Sequence, residues 1–168
     1  MPRFFDEHGN EYQPPPAPVG ELEQIGELGG APEKASVTIS VYSEQLDKDR
    51  VTQLLEVNPT SAWNPNERRA YGLHGKTRID DWGKWFLATE TDDAPLDEKI
   101  EKLFAACTQN LDNWHSLSEE YETWLTVVGH INNFNREIYL SRKSLKLIAE
   151  RNLDFTFDVY FDGDEDSE

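Results

Sequence analysis

The sequence contains one cysteine, Cys107, and one methionine in 168 residues. A single thiol excludes any intramolecular disulfide. A chain of this length buries roughly two-thirds of its unfolded surface and needs neither disulfide nor metal to fold. Long apolar runs are also missing: no stretch approaches the roughly 20 residues that span a bilayer. The first residues, Met1-Pro-Arg-Phe-Phe-Asp-Glu-His, turn acidic at once and hold no apolar export core. The expectation is therefore a cytoplasmic, soluble protein with no membrane partner. Basic residues are scarce as well, 16 against 33 acidic ones, for a net charge of −17. Affinity for nucleic acid comes mainly from Lys and Arg displacing counterions, so nucleic-acid binding is disfavoured and a basic protein partner is favoured.

Motifs of known chemistry are absent too. The chain has no GxxxxGK[ST], no GxGxxG after a strand, no HExxH and no GxSxG. His8, His74, His115 and His130 lie far apart and lack metal-ligand spacing. The reading is no catalytic residue, no metal and no cofactor. His74, in a long loop, is the one histidine that an unfamiliar enzyme site could use beside a carboxylate. The acidic tail after Asp162 has glycine at the wrong offset for an EF-hand loop.

Three regions follow from what is present. Residues 1–35 form a Pro/Gly-rich acidic arm, with Gln13-Pro-Pro-Pro-Ala-Pro-Val19 as an extended spacer. Its apolar residues Phe4, Phe5, Tyr12, Leu22 and Ile25 are suited to docking on the domain or on a partner. Residues 36–161 form the ordered domain, and 162–168 an acidic tail. The arm carries two basic and seven acidic residues and the tail five acidic and none basic, so over half of the surplus charge sits at the two ends.

Within the domain, Ser36 to Ser43 alternates Val37, Ile39 and Val41 with polar residues, the period of a strand with one buried face. Leu46 to Leu55 suits a short helix capped by Ser43 or Asp47. Asp81 to Thr89 reads as a strand. Asp92 or Asp93 caps the longest helix, whose stripe Leu96, Ile100, Leu103, Phe104 and Cys107 sits at 3–4 spacing; it continues to Trp114 or breaks near Asn110. Cys107 reads as a small buried thiol. Tyr121 to Gly129 is a strand, Glu137 to Leu140 a short second one, Ser141 to Asn152 a serine-capped helix and Leu153 to Phe161 the last strand. This order predicts an α+β fold: a mainly antiparallel sheet with helices packed on one face, ferredoxin-like βαββαβ plus a C-terminal αβ.

Residues 59–81 read mostly as loop, with one short strand near 68–73. A loop this long in a compact domain is often functional. The segment 63–85 collects Arg68, Arg69, Lys76, Arg78 and Lys84 against Glu67, Asp80 and Asp81, a net +2 in an acidic chain. It also carries Trp63, Tyr71, Trp82 and Trp85. Trp, Tyr and Arg are enriched at binding hot spots. The candidate interaction surface is therefore Trp63, Arg68, Arg69, Tyr71, Lys76, Arg78, Trp82 and Trp85.

Val37-Thr-Ile-Ser-Val with its following helix, Leu54-Leu-Glu-Val-Asn-Pro59-Thr60-Ser-Ala-Trp63, Gly75-Lys-Thr-Arg, and Trp85-Phe-Leu-Ala-Thr lead into the long helix. Together with the ending from Leu145 to Phe161, this pattern resembles the bacterial family called domain of unknown function 4279. The resemblance covers about three-quarters of the chain. The Lys-Gly expected after the Pro-Thr stretch is replaced near that place by Asn66-Glu67. The resemblance implies a small bacterial α+β domain with no settled activity, similar in size and setting to immunity proteins of toxin systems.

The leading functional expectation is an acidic, non-catalytic binding protein: an immunity or inhibitor protein that neutralises a basic toxin or nuclease. The alternatives are a small-ligand or regulatory module using the 63–85 loop, and a phage-type inhibitor that mimics DNA with rows of carboxylates.

Overall fold

The computed structural model describes residues 4–5, 11–12, 30–71, 76–132 and 136–162. His74 lies outside the described residues. Two short strands, β1 (Phe4–Phe5) and β2 (Glu11–Tyr12), pair with each other. The domain then runs β3 (Lys34–Ser43), α1 (Lys48–Leu55), β4 (Ser61–Trp63), β5 (Arg69–Tyr71), β6 (Lys76–Arg78), β7 (Gly83–Ala88), α2 (Leu96–Ala106), α3 (Leu111–Glu120), β8 (Glu122–Ile131), α4 (Arg142–Glu150) and β9 (Asp154–Phe161).

Five strands form the main sheet in the order β4-β7-β3-β8-β9, antiparallel at every junction except β8–β9. The fold is α+β. Its connectivity follows the expected ferredoxin-like βαββαβ with a C-terminal αβ: β7 lies between β3 and β4, and β3 lies between β7 and β8, so both βαβ units are split around an intervening antiparallel strand. The appended α4 and β9 add a fifth strand parallel to β8. The expected strand over 137–140 is not formed: Ile138 and Leu140 pack on the core, and the Glu137 N–H donates to the Gly30 carbonyl at 2.8 Å.

Alternation in β3 decides which face is covered. Val37, Ile39 and Val41 are fully buried, and their neighbours in register include Val127, Leu125 and Trp85. This face meets α1, α2 and α3, and α4 packs on α2. The core adds Val51 and Leu55 from α1, Ile100 and Phe104 from α2, Trp114 and Leu117 from α3, and Ile148 from α4. Each such side chain contributes about 1.5–3 kcal/mol on leaving water.

Local signals set the helix ends. The Asp47 carboxylate accepts the N–H groups of Asp49 and Arg50, so Asp47, not Ser43, caps α1. Ser141 caps α4 through the Ser144 N–H. No side chain caps α2: Asp92 instead accepts the Ala94 N–H and pairs with Lys99, whose stem is buried. The helical run does not reach Trp114 unbroken. It stops at Cys107, where the Thr108 N–H turns to the Leu55 carbonyl at 2.8 Å, and Asn110 caps a new helix. The Trp114 indole N–H closes the break on the Thr108 carbonyl at 3.0 Å. Cys107 is buried at that corner, and burial pushes its thiol up to about 11. A thiol so placed is inert at neutral pH.

Candidate interaction site at the sheet end

The segment singled out in the sequence folds as an outer strand, a small hairpin and the entry to β7. β4 pairs with β7 so that Trp63 faces Lys84, Ala62 faces Trp85 and Ser61 faces Phe86. A strand alternates faces, so Trp63, Lys84 and Phe86 lie away from the helices, and Trp85 lies beneath them. Trp85 is therefore a correction to the predicted surface: it is fully buried, and its indole N–H donates to Thr52 Oγ1 at 3.0 Å.

β5 and β6 form a two-stranded hairpin with Arg69 opposite Arg78 and Tyr71 opposite Lys76. Like charges directly opposite repel. Asp80 relieves this by pairing with Arg69 at 2.6 Å and with Arg78 at 2.5 Å. Those two guanidinium groups, Arg69 first, hold the Asp80 carboxyl below the usual carboxylate range. The Arg69 guanidinium also stacks 3.9 Å from the Trp63 ring centroid, and its buried Nε has no hydrogen-bond partner among the described residues. The Trp63 indole N–H donates to the Trp82 carbonyl. Glu67 ties this loop to α1 by pairing with Lys48 and accepting the Asn64 N–H, and both bonds lower its carboxyl pKa. Arg68 and Lys76 are exposed and make no ion pair with the described residues.

Gly83 sets how β7 enters this arrangement. A Cβ there would lie 2.6 Å from Leu46 Cβ and 2.8 Å from Pro65 Cδ. Neither atom is the free end of a flexible side chain, so the strand or the loop must move. Gly83→Ala is expected to cost about 1–3 kcal/mol of stability by overpacking, read as a lowered urea midpoint with unchanged slope.

Two open clefts flank the half-exposed Trp82. The first, about 460 Å³, is lined by Trp63, Arg69, Arg78, Asp80, Asp81 and Lys84, with Tyr42 and Gly83 beneath. Its charge is largely internally compensated. Lys84 has no carboxylate partner among the described residues and lies 4.8 Å from the Tyr42 ring centroid and 5.0 Å from that of Phe86. The second cleft, about 410 Å³, is lined by Tyr42, Ser43, Glu44, Gln45, Glu119, Glu120, Tyr121 and Glu122. Among the described residues its lining has four carboxylates and no cation. Glu120 is occupied by Arg50, which lowers its carboxyl pKa. Glu44, Glu119 and Glu122 make no ion pair among the described residues. Aromatic faces beside unpaired carboxylates suit an Arg or Lys side chain, through cation–π contact and charge-assisted hydrogen bonds.

The structure thus brings Trp63, Arg69, Arg78 and Trp82 together. Lys76 lies in the hairpin and Arg68 just before it, and neither lines either cleft; the Tyr71 side chain lies outside the described residues. The acidic cleft was missed in the sequence because its parts come from the end of β3 and the α3–β8 junction. The run Glu119-Glu-Tyr-Glu122 was a visible signal, but nothing local placed it beside Glu44 and Trp82. The remaining described histidines serve elsewhere: His115 bonds the Glu150 carbonyl, and His130 contacts Asp162 and stacks on Tyr160. Among the described residues, no group of three or more His, Cys, Asp or Glu is placed to hold a metal ion, and no helix is long and apolar enough to cross a membrane.

Residues 33–162 match the family described as Domain of unknown function (DUF4279), and the chain belongs to that family. A comparison with curated proteins and with solved structures finds no match.

Proposed function

We propose that this DUF4279 chain is a non-catalytic, cytoplasmic binding protein whose partner is a basic protein, in the manner of an immunity or inhibitor protein that neutralises a basic toxin or nuclease. The observation that carries this reading is the cleft where Glu44, Glu119 and Glu122, with no ion pair among the described residues, stand around Trp82, Tyr42 and Tyr121. A partner's Arg or Lys would enter it, stack on Trp82 and meet the carboxylates. The −17 charge would speed encounter and select against acidic competitors.

Affinity capture tests this. The immobilised full chain is expected to retain a basic protein from native lysate of its own source at low salt and to release it at high salt. A chain carrying Glu119→Lys and Glu122→Lys is expected to retain none. No basic protein held at either salt overturns the proposal, and equal retention by the variant removes the cleft from it.

One observation favours a second reading, a small-ligand module: the buried, unbonded Arg69 Nε beside Trp63 borders the other cleft. A metabolite that raises the melting temperature, and loses that effect in Arg78→Ala, would support it.

A further inference from the structure

We propose that the outer edge of β9 is a docking strand, and that it takes an extended basic segment of another protein as a sixth strand of the sheet. This proposal does not rest on the acidic cleft, which lies at the opposite end of β8.

The two edges of the sheet are protected unequally. β4 is three residues long and is bracketed by Pro59 and Pro65. β9 is eight residues long, and among the described residues no strand pairs on its outer side. Natural edge strands are blunted by Lys, Pro, bulges or brevity. β9, Asp-Phe-Thr-Phe-Asp-Val-Tyr-Phe, has no Lys, Arg, Pro or Gly. Its backbone direction can be read from one bond. The Asp162 N–H donates to the Ile131 carbonyl on β8 at 2.7 Å. The period of two then points the N–H groups of Thr156, Asp158 and Tyr160 toward β8 and those of Phe157, Val159 and Phe161 toward the open edge.

The side chains state what fits. On the helical side, Phe157 is 40%, Val159 45% and Phe161 65% exposed. Val159 lies beside Gly129, which supplies no side chain to cover it. On the opposite side stand Asp154 and Asp158, neither paired with a cation among the described residues. An added strand must therefore alternate apolar residues with Lys or Arg: its backbone fills the open hydrogen bonds and its side chains match the two rows.

Charge also decides against the nearer occupants. Residues 1–29 carry six acidic residues and one basic one, and a second copy would bring the same acidic strand. Either would set carboxylate near carboxylate.

The probe is a labelled peptide of about nine residues alternating Lys and Val, read by fluorescence anisotropy against the full chain. The controls are the same peptide N-methylated at each Val, and one of equal composition with Lys and Val in separate blocks. The alternating peptide is expected to bind at least about tenfold tighter than either control, to weaken with salt, and to slow amide exchange at Phe157 and Val159. Phe157→Lys is expected to abolish binding; Val159→Lys gives the same reading if the first variant fails to fold. Equal binding of the N-methylated peptide overturns the proposal, since charge alone would explain it. So do amides of Phe157 and Val159 already protected in the free chain. Sedimentation then assigns the occupant: residues 1–29 if the chain is a monomer, a second copy if it is a dimer.

Discussion

Trp85→Ala is expected to remove about 3–5 kcal/mol of folding stability, while Trp82→Ala removes no more than about 1 kcal/mol and instead abolishes capture of a basic partner. The two tryptophans are three residues apart, and both belong to the aromatic-rich segment that stands out in the sequence. Their environments separate them. Trp85 is fully enclosed between the sheet and α1, where truncation leaves a cavity the surroundings cannot fill. Trp82 is 42% exposed and lines both clefts. Because domains are stable by only about 5–15 kcal/mol, the first loss is a large fraction of the total. Trp85→Phe refines the test. It keeps most of the ring and loses one hydrogen bond, but Thr52 Oγ1 still donates to the Lys48 carbonyl. No buried donor is orphaned, so a cost of about 1 kcal/mol is expected. Guanidinium unfolding reads stability, and the affinity-capture assay reads binding. Loss of capture without loss of stability in Trp85→Phe would contradict the core assignment.

The second large effect concerns Arg151, which is 3% exposed and makes no ion pair among the described residues. Its guanidinium lies 4.6 Å from the Phe104 ring centroid and 5.5 Å from that of Trp114, and it donates to the Leu147 carbonyl and to Gln109. Its Nε has no partner. Burial pulls its pKa down, yet a guanidinium stays charged at neutral pH. Two opposed quantities are present: desolvation of a charge without a carboxylate, and dense packing between two aromatic rings. Arg151→Ala removes the packing and opens a void in the corner of α2, α3 and α4, so a loss of about 2–4 kcal/mol is expected. Arg151→Met keeps the length and removes the buried charge, so its stability should fall within about 1 kcal/mol of the parent. Denaturant unfolding of both variants decides the matter. If methionine costs as much as alanine, the charge itself, through the rings and carbonyls, is what holds this corner.

The strands with strict alternation were legible residue by residue. Val37, Ile39 and Val41 in β3 face the core because a period of two with one apolar row admits no other burial. The caps at Asp47 and Ser141 were legible because their partners lie two or three residues away. β9 shows the limit of such reading. Its five-fold alternation is the cleanest in the chain, yet Phe157, Val159 and Phe161 are exposed. Alternation identified a strand with an apolar row but not whether anything covers that row. Of the hairpin only the short strand near 68–73 was expected, where β5 lies; its partner β6 was hidden because three residues give too short a period to detect.

Composition and local pattern by themselves determined the acidic character, the α+β class, the positions of the long strands and helices, and the concentration of Trp and Arg in one segment. These depend on neighbours within a few residues, where covalent geometry and short-range hydrogen bonds dominate. Only the tertiary structure decided the place of β9 beside β8, the burial of Trp85 beside the exposure of Trp82, the pairing of Asp80 with both Arg69 and Arg78, and the meeting of Glu44 with Glu119 and Glu122. Those depend on which strands pair, and pairing is set by how the whole apolar surface is enclosed at once.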